Sequence, residues 1–248
     1  MADPIDWTPY CGSAPLPAEL IARWNFDPVL IALVGLAAFA YVVRTRDLPP
    51  ARRRGFAAAI GLFLILYVSP LCALGSALFS ARVVHHVLIM VALAPLLVAS
   101  LPGLRLRAPG LGLLTAIQAL LLWLWHAPPL YAWALSIDAA YWLMEIGLLL
   151  GAVGFWAAIR RASAPAGVAA LLATMVQMGL LGALITFAPG PIYVPHLLTT
   201  QAWGLTALED QQLAGLMMWA PAAGAYLAAA LVRLGGWLGP DRITVQAR

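Results

Sequence analysis

The sequence contains no lysine and few charged side chains of any kind. Charged residues make up 10% of the 248 positions, whereas 63% are hydrophobic, and the mean hydropathy is +0.91. Because so few polar groups cannot cover a soluble globule, the composition predicts a membrane protein that crosses the bilayer several times. The absence of lysine also excludes chemistry that needs a lysine Schiff base, including a retinal chromophore.

Motifs of soluble catalytic machinery are absent as well. No glycine-rich phosphate loop, serine nucleophile elbow or soluble domain interrupts the hydrophobic segments, so we predict that the protein is not an enzyme. No internal repeat is apparent, which argues against an inverted-repeat transporter. The formal charge of +4 comes from arginines beside the hydrophobic segments, so it indicates membrane orientation and no nucleic-acid partner.

Seven hydrophobic segments are long enough, or nearly so, to cross a membrane as helices. They predict an all-α, polytopic bundle of seven transmembrane helices over residues 28–236, between an N-terminal tail (1–27) and a C-terminal tail (237–248). The N-terminal tail lacks the features of a signal peptide, so we expect it to remain on the mature protein. The predicted helices cover residues 28–43, 56–75, 83–101, 111–126, 139–159, 167–188 and 213–234.

The arginines predict the orientation of the bundle. All of them except Arg23 and Arg82 fall in alternate loops, so the positive-inside rule places the N-terminus outside and the C-terminus in the cytoplasm. Glu209 and Asp210 are then expected in the outer loop before the seventh helix. On this topology every histidine and cysteine lies toward the outer face: His85, His86, His126 and His196, with Cys11 and Cys72.

The stretch SPLCALGSALFSARVVHHVLIMVALAPLL (69–97) concentrates residues that bind metals. His85 and His86 open the third helix, where two imidazoles are costly unless they are used or paired. The alternative is that both rings lie at the lipid headgroups. Since adjacent helical residues diverge by about 100°, both rings are not expected to face one point without irregular backbone.

Soft ligands suited to Cu(I) accompany these histidines. Cys11 and Cys72 either form a disulfide in an oxidising outer space or act as copper ligands. Met217 and Met218 follow Asp210 along the seventh helix, although methionines in a hydrophobic bundle mostly serve packing. His196 lies in a loop and is expected to be structural.

One carboxylate lies deep inside a predicted span. Glu145 is about 7 residues from the outer end of the fifth helix, or roughly 10 Å deep. An intramembrane acid is either a functional group or half of a structural ion pair, and Arg82 is the natural partner. His126 follows two tryptophans in WLWHAPPLY, so it is expected to support the site or to cap an interfacial aromatic belt.

Four runs carry a family resemblance: SPLCALGSALFSARVVHHVL with APLL, WHAPPLY, YWLMEIGLLLGAVGFW and EDQQLAGLMMWAP. They resemble the CtaG family of membrane-embedded cytochrome c oxidase assembly proteins. The resemblance implies a seven-helix protein of the bacterial inner membrane that helps to mature haem–copper oxidase, with copper delivery as its suspected role. Many relatives read FS-x-H-M-x-Q-H where this chain has FSARVVHH. Arg82 replaces the first histidine and His85 replaces the glutamine, whereas His86 is retained.

We therefore predict that Cu(I) binds at the outer ends of helices 2, 3 and 7 and passes to a cytochrome c oxidase subunit or another copper chaperone. Asp210 is expected to orient an imidazole, as carboxylates beside metal-bound histidines do. Two alternatives stay open: a haem protein with His86 and His126 as axial ligands, and a non-metal scaffold or small-solute transporter. The predicted ligands are His86, His85, Cys72, Cys11, Met217 and Met218.

Overall fold

The computed structural model describes residues 9–101 and 110–239, and within these ranges every regular element is a helix. The all-α class is therefore confirmed. The α-helices are α1 (Pro28–Arg44), α2 (Pro50–Tyr67), α3 (Leu71–Ala77), α4 (Phe79–Leu88), α5 (Ala94–Ser100), α6 (Leu111–His126), α7 (Pro128–Ala134), α8 (Asp138–Arg161), α9 (Ala164–Thr186), α10 (Ala207–Met217) and α11 (Ala223–Leu238). Short 3₁₀ helices lie outside them, at Pro17–Ala22, Val194–His196 and Gln201–Trp203.

Several helical segments have the length and composition to cross a membrane. The pair α6 and α7 meets the criterion only as one broken span bent by 79°, and α1 is apolar but has 17 residues. The described residues thus support five or six spans, while the seven-span count and the direction of the termini remain predictions from the sequence. The five long segments are Pro50–Ala77, Phe79–Ser100, Asp138–Arg161, Ala164–Thr186 and Ala207–Leu238.

Two of the helices that begin earlier than the hydrophobic runs predict carry candidate site residues. The run of the third helix starts at Val83, but α4 begins at Phe79, and α10 begins at Ala207. The placement of Glu209 and Asp210 in a loop is therefore wrong, because both lie in the first turn of α10. The helix starts in a capping box in which the Glu209 side chain and the cap residue bond each other's backbone N–H groups. Such polar first turns escape a search for apolar segments.

Wide turns interrupt two of the long segments. Ile89–Leu93 joins α4 to α5, and Met218–Ala222 joins α10 to α11, each as a single π-helical turn. Pro221 lies inside the second turn and Pro95 follows the first. Because proline has no N–H, it cannot continue the regular α-helical ladder at either place. The two interrupted segments are those that carry the adjacent histidines and Asp210.

Glycines let α9 pack closely against α10. The sequence predicts such packing from small residues in the sixth and seventh spans, among them Gly182, Gly215 and Gly224. A Cβ on Gly215 would lie 2.5 Å from the carbonyl oxygen of Gly182, and a Cβ on Gly182 would lie 2.7 Å from that of Gly215. The prediction is therefore confirmed for this pair. It is wrong for Gly224, since nothing lies within 4 Å of its Cβ position.

We expect Gly215→Ala to lower the free energy of unfolding by about 1–3 kcal/mol, because the added methyl group meets backbone that must shift. Thermal unfolding of the purified protein in detergent measures the change. Gly224→Ala is the matched control, and we expect it to change stability by less than about 0.5 kcal/mol. Equal stability of the two variants would contradict the close packing of α9 and α10.

The helices carry the histidines and most arginines to opposite ends of the bundle. At one end Arg160 donates to the carbonyl oxygen of Val98, and Arg233 donates to that of Ala162. At the other end lie residues 9–27 of the tail, the loop 187–206 and the histidine-bearing parts of α4 and α6. This separation of histidines from arginines agrees with the positive-inside pattern of the sequence. Four arginines assigned to the first end fall outside the described residues: Arg105, Arg107, Arg242 and Arg248.

Candidate functional site

The described part of the N-terminal tail, residues 9–27, is fastened over the histidine end of the bundle. A disulfide joins Cys11 to Cys72 of α3, with the Cα atoms 5.4 Å apart. The ring of Tyr10 stacks on Tyr141 of α8 at a centroid distance of 5.1 Å and meets Trp142 edge-on. The two cysteines, for which the sequence left two roles open, are thus bonded to each other in this structure.

Beneath the tail, four side chains surround the carboxylate of Glu145. Tyr67 donates to Oε2 at 3.0 Å, and Arg82 donates to Oε1 at 3.3 Å. Nε2 of His86 lies 3.3 Å from Oε1, and Nε2 of His85 lies 3.5 Å from Oε2 without hydrogen-bond geometry. All five residues are buried, at 1% exposure or less. The structure brings together Arg82 and Glu145, which the sequence paired, and adds three more groups to them.

The adjacent histidines reach this one acid from two sides. The His85 and His86 rings are 6.0 Å apart with an 81° angle between their planes, and they approach different oxygens of Glu145. The backbone of α4 is regular α-helix through Leu88. On this regular helix the two rings do not face one point, as the sequence led us to expect, and they share one residue by approaching its two different oxygens. A carboxylate offers two oxygens, so the rings need not point at one atom.

His126, at the end of α6, lies against His86 with ring centroids 5.5 Å apart. Its Nδ1 is 2.7 Å from the carbonyl oxygen of Leu122; because a carbonyl only accepts, Nδ1 carries the proton and Nε2 keeps its lone pair. By the same reasoning Nε2 of His86 donates to the carboxylate of Glu145, so a neutral His86 ring has its lone pair on Nδ1. Neither lone-pair nitrogen has a hydrogen-bond partner among the described residues. Two anchored imidazoles thus meet, each with one uncommitted nitrogen.

An aromatic layer separates this pair from the loop that follows α9. The Phe79 ring stacks on Tyr193 at 3.7 Å and approaches His126 at 6.4 Å. Nε2 of His196 lies 2.7 Å from the hydroxyl of Tyr131. Burial lowers the pKa of His196 to about 3, so its imidazole stays neutral at physiological pH. These contacts support the structural role expected for His196.

Asp210 fixes the start of the helix that carries the adjacent histidines. Its Oδ2 accepts from the Phe79 N–H at 2.7 Å, and its Oδ1 accepts from the Ser80 N–H at 3.2 Å and from the Ser80 hydroxyl. A carboxylate placed there satisfies N–H groups that have no partner inside the helix and interacts favourably with the helix dipole. In this structure Asp210 therefore orients α4, instead of orienting a ring directly as the sequence predicted.

The methionines predicted as ligands lie in and beside the hydrophobic core. Met218 is buried in the same core as Met90 and Met144, and Met217 packs against that core half-buried. In the part of the chain that the structure describes, no group of three or more histidine, cysteine, aspartate or glutamate side chains is arranged to hold a metal ion. The arrangement is a pair of imidazoles beside an acid, with the cysteines in a disulfide.

The family of the chain follows from its match to a family model. The model described as cytochrome c oxidase caa3 assembly factor (Caa3_CtaG) matches residues 34–115 and 109–239 of the 248. The chain belongs to the Caa3_CtaG family. This confirms the resemblance carried by the sequence and indicates a role in cytochrome c oxidase assembly. No curated protein and no solved structure matches the chain.

The match to the Caa3_CtaG family model includes the buried residues around Glu145, but it begins after the N-terminal tail. Every residue around Glu145, together with His126 and Asp210, lies between positions 34 and 239. Tyr10 and Cys11 precede the matched region. The disulfide therefore joins a part of the protein that the family model covers to a part that it does not.

Sequence reasoning missed three tyrosines of this assembly factor. Tyr67 donates to Glu145, Tyr141 accepts from Arg82 at 3.2 Å, and Tyr131 bonds His196. One signal was present, because Tyr141 and Glu145 are four residues apart and share a face of α8. The position of Tyr67 gives no comparable signal, since its partner is on another helix.

Proposed function

We propose that this Caa3_CtaG protein binds Cu(I) as cargo at the His86–His126 pair and passes it to a cytochrome c oxidase subunit or another copper chaperone. One observation carries the proposal: the two rings meet at 5.5 Å, each with a buried nitrogen that has no hydrogen-bond partner among the described residues. A nitrogen held in this way can accept a soft cation without first breaking another contact.

The far side of each ring supports this role. Imidazoles that bind metals usually donate their other N–H to a carboxylate or a carbonyl group, which fixes the tautomer and the ring orientation. His86 has Glu145 as this partner, and His126 has the carbonyl oxygen of Leu122. Two imidazoles form a low-coordinate site for Cu(I), which holds the ion without enclosing it in a tetrahedral cage. Transfer to an acceptor needs such a site.

The other predicted ligands are not part of this pair. His85 shares the acid with His86, and the thioethers of Met217 and Met218 belong to the neighbouring core and its margin. Cys11 and Cys72 become available as thiols only when their disulfide is reduced. We propose that these residues assist Cu(I) capture or transfer after the imidazole pair.

We place the cargo site on the outer side of the bacterial inner membrane. The support is the positive-inside rule, because the described arginines other than Arg23 and Arg82 lie at the end of the bundle away from the histidines. This direction gives periplasmic copper donors and acceptors access to the histidine end.

The haem alternative requires more space than the pair offers. The His86 and His126 rings meet at 5.5 Å with an 85° angle between their planes. A porphyrin between them would need a flat space that extends several ångströms sideways, in every direction, from the line joining the two rings. Phe79 and Glu145 already contact the two rings, and both are 1% exposed. The packing therefore favours a small cargo.

Cu(I) titration against a competing chelator tests the proposal. We expect His86→Ala and His126→Ala each to weaken Cu(I) binding at least about tenfold, because each removes one of two ligands. His196→Ala is the matched control, since it removes a buried imidazole whose Nε2 is bonded to Tyr131. We expect it to bind Cu(I) like the wild type. Oxidase activity in cells carrying each variant should follow the same order.

Identical competition by the wild type and all three variants would overturn the copper proposal and leave the scaffold alternative. A Soret band in the absorbance spectrum of the purified protein would favour haem instead. Circular dichroism and gel filtration establish that each variant is folded before its binding is compared.

A further inference from the structure

The cluster proposed as the cargo site is closed. Arg82, His85, His86, His126 and Glu145 are each 2% exposed or less. The imidazole nitrogens are therefore out of contact with solvent, and a cavity beside the cluster, of about 550 Å³, is lined by Tyr67 and Glu145 but by neither His86 nor His126. Binding and release both require part of the covering structure to move.

The N-terminal tail covers the cluster directly. Sγ of Cys11 lies 3.6 Å from the hydroxyl of Tyr141, and that hydroxyl accepts a hydrogen bond from Arg82 at 3.2 Å. Arg82 in turn pairs with Glu145. The ring of Tyr10 lies on the ring of Tyr141. Two contacts thus connect the disulfide with the guanidinium that holds the central acid.

One covalent bond fastens this part of the tail to the bundle. The disulfide ties Cys11 to Cys72 across 61 positions of the chain, which has only these two cysteines. Trp203 adds a hydrogen bond to the carbonyl oxygen of Pro15 at 3.2 Å. Tyr10 also donates to Asp27 and packs on two aromatic rings of α8. Each such contact contributes about 0.5–1.5 kcal/mol, whereas a disulfide typically contributes about 2–4 kcal/mol, so the disulfide is the strongest single tie.

A cavity lies beside the chain segments that carry the disulfide. The cavity has a volume of about 510 Å³ and lies between the tail, α3 and the loop after α9. Its lining includes Pro9 and Ser13, which flank Cys11, and Ser76, one helical turn after Cys72. Cys11 is 8% exposed, whereas Cys72 is fully buried. Of the two cysteines, Cys11 is therefore the one nearer to an external thiolate.

We propose that the Cys11–Cys72 disulfide is a redox latch, which a dithiol reductant outside the membrane opens by thiol–disulfide exchange so that the freed tail uncovers the imidazole pair. A thiolate of the reductant attacks Cys11 and forms a mixed disulfide, and Cys72 leaves as a thiolate that takes up a proton. The second thiol of the reductant then displaces Cys11. The reductant ends as a disulfide, and the protein gains two thiols. The opening of the tail does not depend on the proposed function. Only the identity of the ion that then reaches the imidazole pair, Cu(I), rests on it.

Histidine modification by diethyl pyrocarbonate, read by mass spectrometry, tests the latch without copper. The full chain in lipid nanodiscs is compared in the oxidised form, after reduction with a phosphine, and as the double variant Cys11→Ser/Cys72→Ser. We expect His86 and His126 to react at least about tenfold faster in the second and third samples, because reactivity follows the open population. Reducing protein that is already folded keeps the test valid if the double variant does not fold.

Trp203→Phe is the matched control, since it removes the hydrogen bond to Pro15 and keeps the disulfide. We expect its histidines to react as slowly as those of the oxidised wild type. Equal reaction rates in the oxidised and reduced wild type overturn the latch, as does a Trp203→Phe rate equal to that of the reduced protein. Faster labelling after reduction without Cu(I) binding in any form overturns the proposed function and supports the latch. Cu(I) binding together with equal labelling rates in the oxidised and reduced protein supports the proposed function and overturns the latch.

Discussion

Replacing Glu145 with glutamine is expected to lower the free energy of unfolding by about 3–5 kcal/mol, because it leaves the buried guanidinium of Arg82 without its counter-charge. The same change weakens the hydrogen bonds that Tyr67 and His86 make with the carboxylate. Folded yield after purification and thermal unfolding in detergent measure the loss. Arg82→Gln should cost a similar amount, since it strands the acid instead.

The double variant Arg82→Gln/Glu145→Gln is the control for this prediction. Removing both charges avoids an uncompensated ion, so we expect it to be more stable than either single variant. If both single variants keep the wild-type yield and unfolding temperature, the pair does not hold the fold together. Loss of oxidase maturation at normal yield would then assign the pair to the cargo site.

Asp210→Ala is expected to cost about 2–4 kcal/mol. The carboxylate is buried, and its removal leaves the backbone N–H groups of Phe79 and Ser80 without their described acceptor, at roughly 1–3 kcal/mol for each unsatisfied group. Because these groups begin α4, the change should also disturb the positions of His85 and His86. Thermal unfolding reports the first effect, and weakened Cu(I) binding reports the second.

Asp210→Asn separates hydrogen bonding from charge. Its amide oxygen still accepts from a backbone N–H, and asparagine caps helices about as well as aspartate. We therefore expect this variant to keep most of the stability that Asp210→Ala loses. The role of Asp210 at the start of α4 would be contradicted if Asp210→Ala unfolded at the wild-type temperature.

The regular parts of the fold follow from local sequence patterns. Each predicted apolar segment overlaps a helix of the structure, because a chain in lipid must satisfy its backbone hydrogen bonds within the segment. The starts of α4 and α10 were predicted too late for a related reason. Their first turns are polar or mixed, and the cap of α4 comes from Asp210, 131 positions away from Phe79.

The candidate site was predictable only as a list of residues at one end of the bundle. The pairing of Arg82 with Glu145 followed from charge, since an acid inside a membrane needs a partner. Nothing local showed that His126 contacts His86, or that Tyr67 donates to Glu145. These contacts join separate helices, so they depend on how the helices pack.

The sequence by itself determined the membrane class, the all-α architecture, the family, and the placement of histidines and arginines at opposite helix ends. Each of these follows from composition, from apolar runs or from motifs that are local along the chain. The tertiary structure alone decided that Cys11 bonds Cys72, that Asp210 caps α4, and that His86 and His126 meet with one uncommitted nitrogen each. The physical reason is that hydrogen-bond partners and ring contacts are set by helix packing, which brings together side chains that are far apart in sequence.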